Sequence, residues 1–416
     1  MLWVLFALLI VGCGHEKQMM TVSNPSDFER VDEPVIISRQ QLAVREHENL
    51  LPCVKDENGV FLASQLDTIL NKSDWDEMAF LVDLRAKEKK QLFIEWVAEA
   101  DYPTFTNRTH IHLGILNQQT KEIEARTSFT LGKELFWKVQ RTAYPFQMDG
   151  IAWENDKMGF RHYFDGRNCR DVFGKRTSEM VLDRVGIKPD GLPGDTYHTL
   201  ADWGRDIHSC ANSFGLGGVG LWSNDRFYRL GIEGSDTINI VDQTSFHMLA
   251  QGPVRTVFDI HYKGWQTPLG KINVSHKTTI WAGKIGYENE LSCDELPDAS
   301  YLMTGIVTNF NDQPTIEKVY GKKQFAMITH DKQSYDKEYF MGMALLLPEA
   351  SVVKTFGLDE ISTWCALLKP SSAKYLYNVY CTWEMQDIRS VDRNYFVGLI
   401  EKEANKISEP IEVIVK

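Results

Sequence analysis

Between Asp190 and Trp222 the chain reads DGLPGDTYHTLADWGRDIHSCANSFGLGGVGLW, where His, Asp, Arg and Trp concentrate before a Gly-rich turn. If the middle of this stretch is helical, His198, Asp202, Arg205 and Asp206 fall at i, i+4, i+7 and i+8. An acid/base group, two carboxylates and a guanidinium then share one face. Leu200, Trp203 and Ile207 would face the core, and the polar stripe equally fits the solvated side of an amphipathic helix. The neighbouring Gly215, Gly217, Gly218 and Gly220 point to backbone held close to something.

A second polar group lies in GFRHYFDGRN. Strand alternation puts Phe160, His162 and Phe164 on one sheet face and Arg161, Tyr163 and Asp165 on the other. If the Phe face is core, His162 is a buried, satisfied histidine and Tyr163 belongs to the polar set. If the faces are reversed, His162 becomes the candidate and Tyr163 is packing. Arg167 follows the Asp165-Gly166 turn, where it either pairs with Asp165 or Asp171 or stays free to bind an anion. His110 and His112, two apart on a strand, have chelating spacing but no evident third ligand, so no metal is expected. Glu288 and Glu290 alternate onto one side, as a hydrolase pair or as edge-strand charge. Of the eleven tryptophans, Trp153, Trp203 and Trp222 lie nearest these groups, and most tryptophans in such a chain serve the core.

The elements that must position these residues read as strands. MAFLVDL, KQLFIEWVAE, THIHLGILN, MGFRHYFDG, VRTVFDIHY, KINVSHKTTIWAG and KYLYNVYCTWE alternate or are rich in β-branched and aromatic residues. The clearest helix is the tail segment VDRNYFVGLIEKEANKI. Many strands without βα alternation predict an all-β fold, a large antiparallel sandwich with few short helices. No Pro/Ser/Gly linker divides the chain, so 27–416 reads as one body, in which 27–100 forms either a smaller opening β unit or part of the whole.

Met1 to Gly12 is a short apolar run followed by Cys13, similar to a bacterial lipoprotein signal cleaved before Cys13, with lipid on its thiol. The run is too short for a permanent span, which needs about 20 apolar residues. Residues 14–26 then read as a tether. Gly14 is not the Asp that retains such lipoproteins at the inner membrane, so the expectation is an outer-membrane lipoprotein, on the periplasmic side or the cell surface. The membrane is met through the anchor alone. A net charge of −12 and the lack of a Lys/Arg track exclude a general nucleic-acid surface. Six cysteines remain after lipidation, in no CxxC pair, and a chain of 416 residues needs no disulfide staples, so they are expected as buried thiols.

The blocks PVIIS, LLPCVKDENG, SQLDTI and SDWDEMAFLVDL, then WENDKMGFRHYFDGRNCRDVFGKR, then DTYHTLADWGRDIHSCANSFGLGGVGLW resemble a family of bacterial lipoproteins from polysaccharide-utilisation loci, long described as a domain of unknown function. The resemblance covers nearly all of the mature chain. It implies a galactose-mutarotase-like sandwich, shared with polysaccharide lyases, and oligosaccharide dehydratases of ulvan degradation among its members. SQLDTILNKSDWDE departs from the DGDG-like turn of such relatives, which counts against a cation role for that loop.

Dehydration of a terminal uronate to a 4,5-unsaturated sugar needs a cation for the carboxylate, a base for the C5 proton and an acid for the departing C4 hydroxyl. The candidate base is His198, the acid Tyr163, and the cations Arg205 and Arg167. Asp202, Asp206 and Trp203 are expected to help bind substrate, and His261 and His276 to line the concave sheet face. No cofactor or metal is expected. Ulvan is a sulfated polyanion and the chain is acidic, so a small local uronate pocket is expected, fed by an arginine-rich segment from Arg161 to Arg184. The alternatives are a polysaccharide lyase that expels sugar instead of water, and a non-catalytic glycan-binding surface lipoprotein.

Overall fold

The computed structural model describes residues 18–42, 49–70, 74–133, 145–233, 238–370 and 374–416, so the lipoprotein reading of 1–13 lies outside the described residues. The described chain is mostly β, in antiparallel sheets, as the alternating sequence predicts. Its largest sheet has nine strands. In spatial order these are Ser128–Gly132, Val241–Gln251, Arg255–Thr267, Gly270–Trp281, Gly286–Cys293, Tyr375–Trp383, Met341–Pro348, Gln324–Asp331 and Ile316–Tyr320.

Two five-stranded sheets cover the inner face of this large sheet. One orders Gly204–Asp206, Arg170–Lys175, Met158–Tyr163, Gly150–Asn155 and Thr109–His112, and the other runs from Arg226–Arg229 through Gly220–Ser223, Ser300–Val307 and Thr363–Leu368 to Val352–Leu358. The shared core joins Phe246, Phe258, Ile260 and Leu345 of the large sheet to Trp153, Phe160 and Val172 of one cover and Leu302 and Ile306 of the other. Burying each such side chain contributes about 1.5–3 kcal/mol. The first cover sheet is unusual in that all six residues of Gly150–Asn155, of Met158–Tyr163 and of Arg170–Lys175 are buried, so both of its faces are covered. Its outer face packs under the 176–208 loops through Phe173, Val181, Leu182, Val185 and Tyr197.

The tail helix forms at Arg393–Ser408, where the Asp392 side chain accepts from the Asn394 backbone N–H and caps its N-terminus. Phe396, Ile400 and Ala404, at helical spacing, pack on Ala326, Ile328, Ala344 and Leu346, outside the large sheet. Residues 18–97 and the last strand, Glu412–Val415, build two small sheets around a separate core that includes Met20, Val22, Phe80 and Ile94. From Gln18 onward this corrects the reading of 14–26 as a tether, while residues 14–17 lie outside the described residues. Gln18–Ser23 is a strand paired on both sides, with Met20 and Val22 fully buried, because their alternation supplies one apolar face to this core. Cys53, Cys169, Cys210, Cys365 and Cys381 are buried free thiols and Cys293 is half-buried.

Candidate functional site

The expected helix around His198 does not form. Thr196–His198 is a single 3-10 turn and Gly204–Asp206 is a short edge strand, paired with Phe173–Lys175. Glycine decides this locally: Gly204 has φ +134°, and a Cβ there would lie 1.8 Å from the Gly174 carbonyl oxygen. The Gly-rich stretch is likewise held against the chain's own backbone, since Gly215 bridges to Arg170 with φ +80°.

On the outer face of the first cover sheet, strand alternation places Arg161 and Tyr163 together, and antiparallel register sets Asp171 directly across from Arg161. Asp206 arrives on the edge strand, opposite Phe173. Arg161 is fully buried and donates from Nη2 to Tyr163 Oη (2.5 Å), Asp171 Oδ2 (2.5 Å) and Asp206 Oδ2 (2.7 Å). Tyr163 in turn donates to Asp171 Oδ2 at 2.9 Å. The rings of Tyr163, Phe173 and Tyr197 surround the guanidinium at 4.3–5.0 Å.

This burial separates the protonation states. Burial, then the neighbouring Asp171, pushes the Asp206 carboxyl far above the usual carboxylate range, against the pull of Arg161. Burial likewise pushes the Tyr163 phenol well above its ordinary value, outweighing Arg161. Both shifts favour the protonated forms, beside one permanent cation.

The rim is more open. Arg167 stacks over the Tyr163 ring at 4.0 Å and pairs with Asp165 (2.6 Å) and Asp149 (3.4 Å) while its side chain stays 38% exposed. His198 Nδ1 lies 3.9 Å from Asp206 Oδ2, with its side chain 46% exposed and its ring between Tyr197 and Tyr335. Arg205 donates to the Asp206 carbonyl and approaches Glu338 at 3.5 Å. His198, Tyr163, Arg167 and Asp206 are thus linked around Arg161, although no helix brings them there, while Arg205, next to Asp206 on the edge strand, turns its guanidinium to Glu338 and the Tyr335 ring.

Four sequence candidates stand elsewhere. Asp202 is exposed on the bend before Gly204. Trp203 packs edge-on against Phe173, as part of the covering layer. His276 is buried between the sheets, where its Nε2 meets Asn289 Oδ1 (2.9 Å) and Tyr377 Oη (3.2 Å). His261 faces outward from the large sheet, beside Asp259. Of the weighed alternatives, His162 lies on the core face with its Nε2 3.1 Å from Tyr262 Oη, as the Phe-face reading requires. His112 bonds Gln147, and His110 lies 3.5 Å from Glu154. Glu290 pairs with Lys374.

Sequence reasoning placed Arg161 on the polar face and Asp171 near Arg167 without making either a site residue, and it did not name Asp149. Arg161 was visible as the polar neighbour of Tyr163 in the alternation, whereas its carboxylate partners depend on strand register. A second buried guanidinium, Arg170, points the other way, between the sheets. Neutral groups hold it, Asn289 Oδ1 (2.7 Å) and Thr278 Oγ1 (2.9 Å), under the Trp153 ring. Burial and then Arg170 depress the imidazoles of His162 and His276 well below their ordinary value.

Fold and site together define an all-β sandwich protein with a buried Arg–Tyr–Asp network reaching the surface at His198 and Arg167. The chain belongs to the family described as a domain of unknown function, DUF4861, whose sequence pattern matches residues 22–413. It is 22% identical over 295 residues, 65% of this chain and 68% of the relative, to "Uncharacterized protein P7" of Formosa agariphila. It is also similar to the crystal structure of an alpha-mannosidase from Enterococcus faecalis V583, at 10% identity and a TM-score of 0.47. That likeness covers 96% of this chain, which spans 46% of the mannosidase chain.

Proposed function

We propose that this protein is a carbohydrate-active enzyme that removes water from the terminal uronate of short oligosaccharides, leaving a 4,5-unsaturated sugar. The observation that carries the reading is the single Arg161 guanidinium joining the Tyr163 hydroxyl to the Asp206 carboxyl beside His198. A phenol that can give up a proton and a candidate base sit on one connected network. The resemblance of the sequence blocks to oligosaccharide dehydratases supports the substrate class.

In this reading His198 takes the C5 proton, the C5–H electron pair forms the C4–C5 double bond, and the C4–O bond breaks. Tyr163 gives its proton to the departing oxygen, so water leaves. The resulting phenolate is stabilised by Arg161 and regains its proton from His198 through solvent. Arg161 is fully buried and its Nε and Nη2 are taken up by Tyr163, Asp171 and Asp206, so in this reading the substrate carboxylate falls to the more accessible Arg167 and to Arg205. The lipid anchor at Cys13 belongs to the same proposal, and would keep the enzyme at a membrane surface where oligosaccharides arrive.

The test is to incubate the protein with short uronate-terminated oligosaccharides from ulvan and follow mass and ultraviolet absorbance. Loss of one water with new absorbance and no chain shortening supports dehydration. Shortened chains assign a lyase, and binding without mass change assigns a glycan-binding protein.

A further inference from the structure

The outer face of the large sheet carries a second constellation, remote in sequence from the Arg161 network. Strands Val241–Gln251 and Arg255–Thr267 pair so that His247 sits directly across from Asp259, and His261 follows two residues along on the same face. The intervening Phe246, Phe258, Ile260 and Tyr262 are buried in the core, which turns all three polar side chains outward. His247 Nδ1 lies 2.9 Å and His261 Nε2 3.1 Å from the same atom, Asp259 Oδ1. One ligand atom from each residue lies within 4.8 Å of the other two.

We infer that His247, Asp259 and His261 form a binding site for a divalent transition metal such as zinc. Two imidazole nitrogens and one carboxylate oxygen suit zinc, which binds such atoms at about 2.0–2.2 Å and in open sites keeps its remaining position for water or an anionic group. Atoms each about 2.1 Å from a common centre lie roughly 3–3.5 Å apart, which matches both imidazole-to-carboxylate spacings. Register holds the three ligands on two adjacent paired strands, so little ordering is needed on binding. Both imidazoles are 45% exposed, which leaves the open position facing solvent. Lys277 stands in register with Asp259 on the next strand, and its charge opposes the cation.

The experiment is calorimetric titration of chelator-stripped protein with zinc chloride, with magnesium chloride as the hard-cation control, followed by cobalt(II) loading for its visible spectrum. One equivalent of zinc should bind and magnesium should not. His247→Gln, His261→Gln and Asp259→Asn should each weaken zinc more than about tenfold, and Lys277→Met should tighten it. The control His198→Gln should leave zinc binding unchanged. These residues are outside the core, so the variants should fold, checked by circular dichroism. Absence of zinc binding, or zinc binding that persists undiminished in His247→Gln and His261→Gln, overturns the assignment.

Discussion

The Tyr163 hydroxyl and the Asp171 carboxylate lie 2.9 Å apart, and both bond the same nitrogen of Arg161. A tyrosine so placed donates one hydrogen bond, accepts another, and has its ring covered by Arg167. Its position is fixed from three sides before any substrate arrives, which is what a proton donor requires.

Removing the cation should be far worse than removing the second acid. Arg161→Met leaves the buried Asp171 and Asp206 without their cation, and the expected loss is about 3–5 kcal/mol. Burial already shifts the Asp206 carboxyl towards its protonated form, so the near-isosteric Asp206→Asn should cost less, on the order of 1 kcal/mol. Urea unfolding of the two variants checks the contrast, and equal losses would contradict it.

Stability should fall as pH drops below the ordinary imidazole range. Burial depresses His162 and His276 well below their ordinary value and His208 to about 4. A depressed group contributes stability above its unfolded pKa and loses it as pH falls towards the folded value. Between about pH 6.5 and 4, each therefore subtracts up to about 1.4 kcal/mol per pH unit. Unfolding midpoints across that window should show a slope that His208→Asn reduces.

Backbone proximity makes Gly215 irreplaceable. Its φ is +80°, and an added Cβ would lie 1.7 Å from the Arg170 carbonyl oxygen, so Gly215→Ala should cost more than about 2 kcal/mol. Gly59 has a similar φ of +78° with nothing within 4 Å. Gly59→Ala therefore measures conformational strain alone, about 1 kcal/mol. Comparable melting temperatures for the two variants would contradict the crowding.

Much of the architecture is legible in the sequence because period-2 alternation is a local signal. It marks the strands around Phe80, Phe160 and Phe258, and helical spacing of Phe396, Ile400 and Ala404 marks the tail helix. The site is less legible. His198 and Asp206 do approach one another, but through a 3-10 turn and an edge strand that depend on Gly204 and not through the helix the spacing predicts. Asp171 meets Arg161 only through antiparallel register, which a strand pattern does not specify. His261 and His276, fifteen residues apart on adjacent strands, end on opposite faces of the large sheet, since their core-facing sides are set by which neighbours are apolar. Met20 and Val22 carry the alternation of a strand, yet a signal-like start drew 14–26 into the reading of a tether.

The decisive measurement for Tyr163 as the proton donor is the same dehydration assay, run on Tyr163→Phe beside the unaltered protein and Asp202→Asn. Loss of one water from uronate-ended oligosaccharides is expected with the unaltered protein and with Asp202→Asn, whose exposed side chain lies on the bend before Gly204. Tyr163→Phe should be folded and slower by about 10²–10⁴-fold. Dehydration by Tyr163→Phe at the unaltered rate, or no loss of water from any uronate-ended oligosaccharide tried with the unaltered protein, would contradict that role.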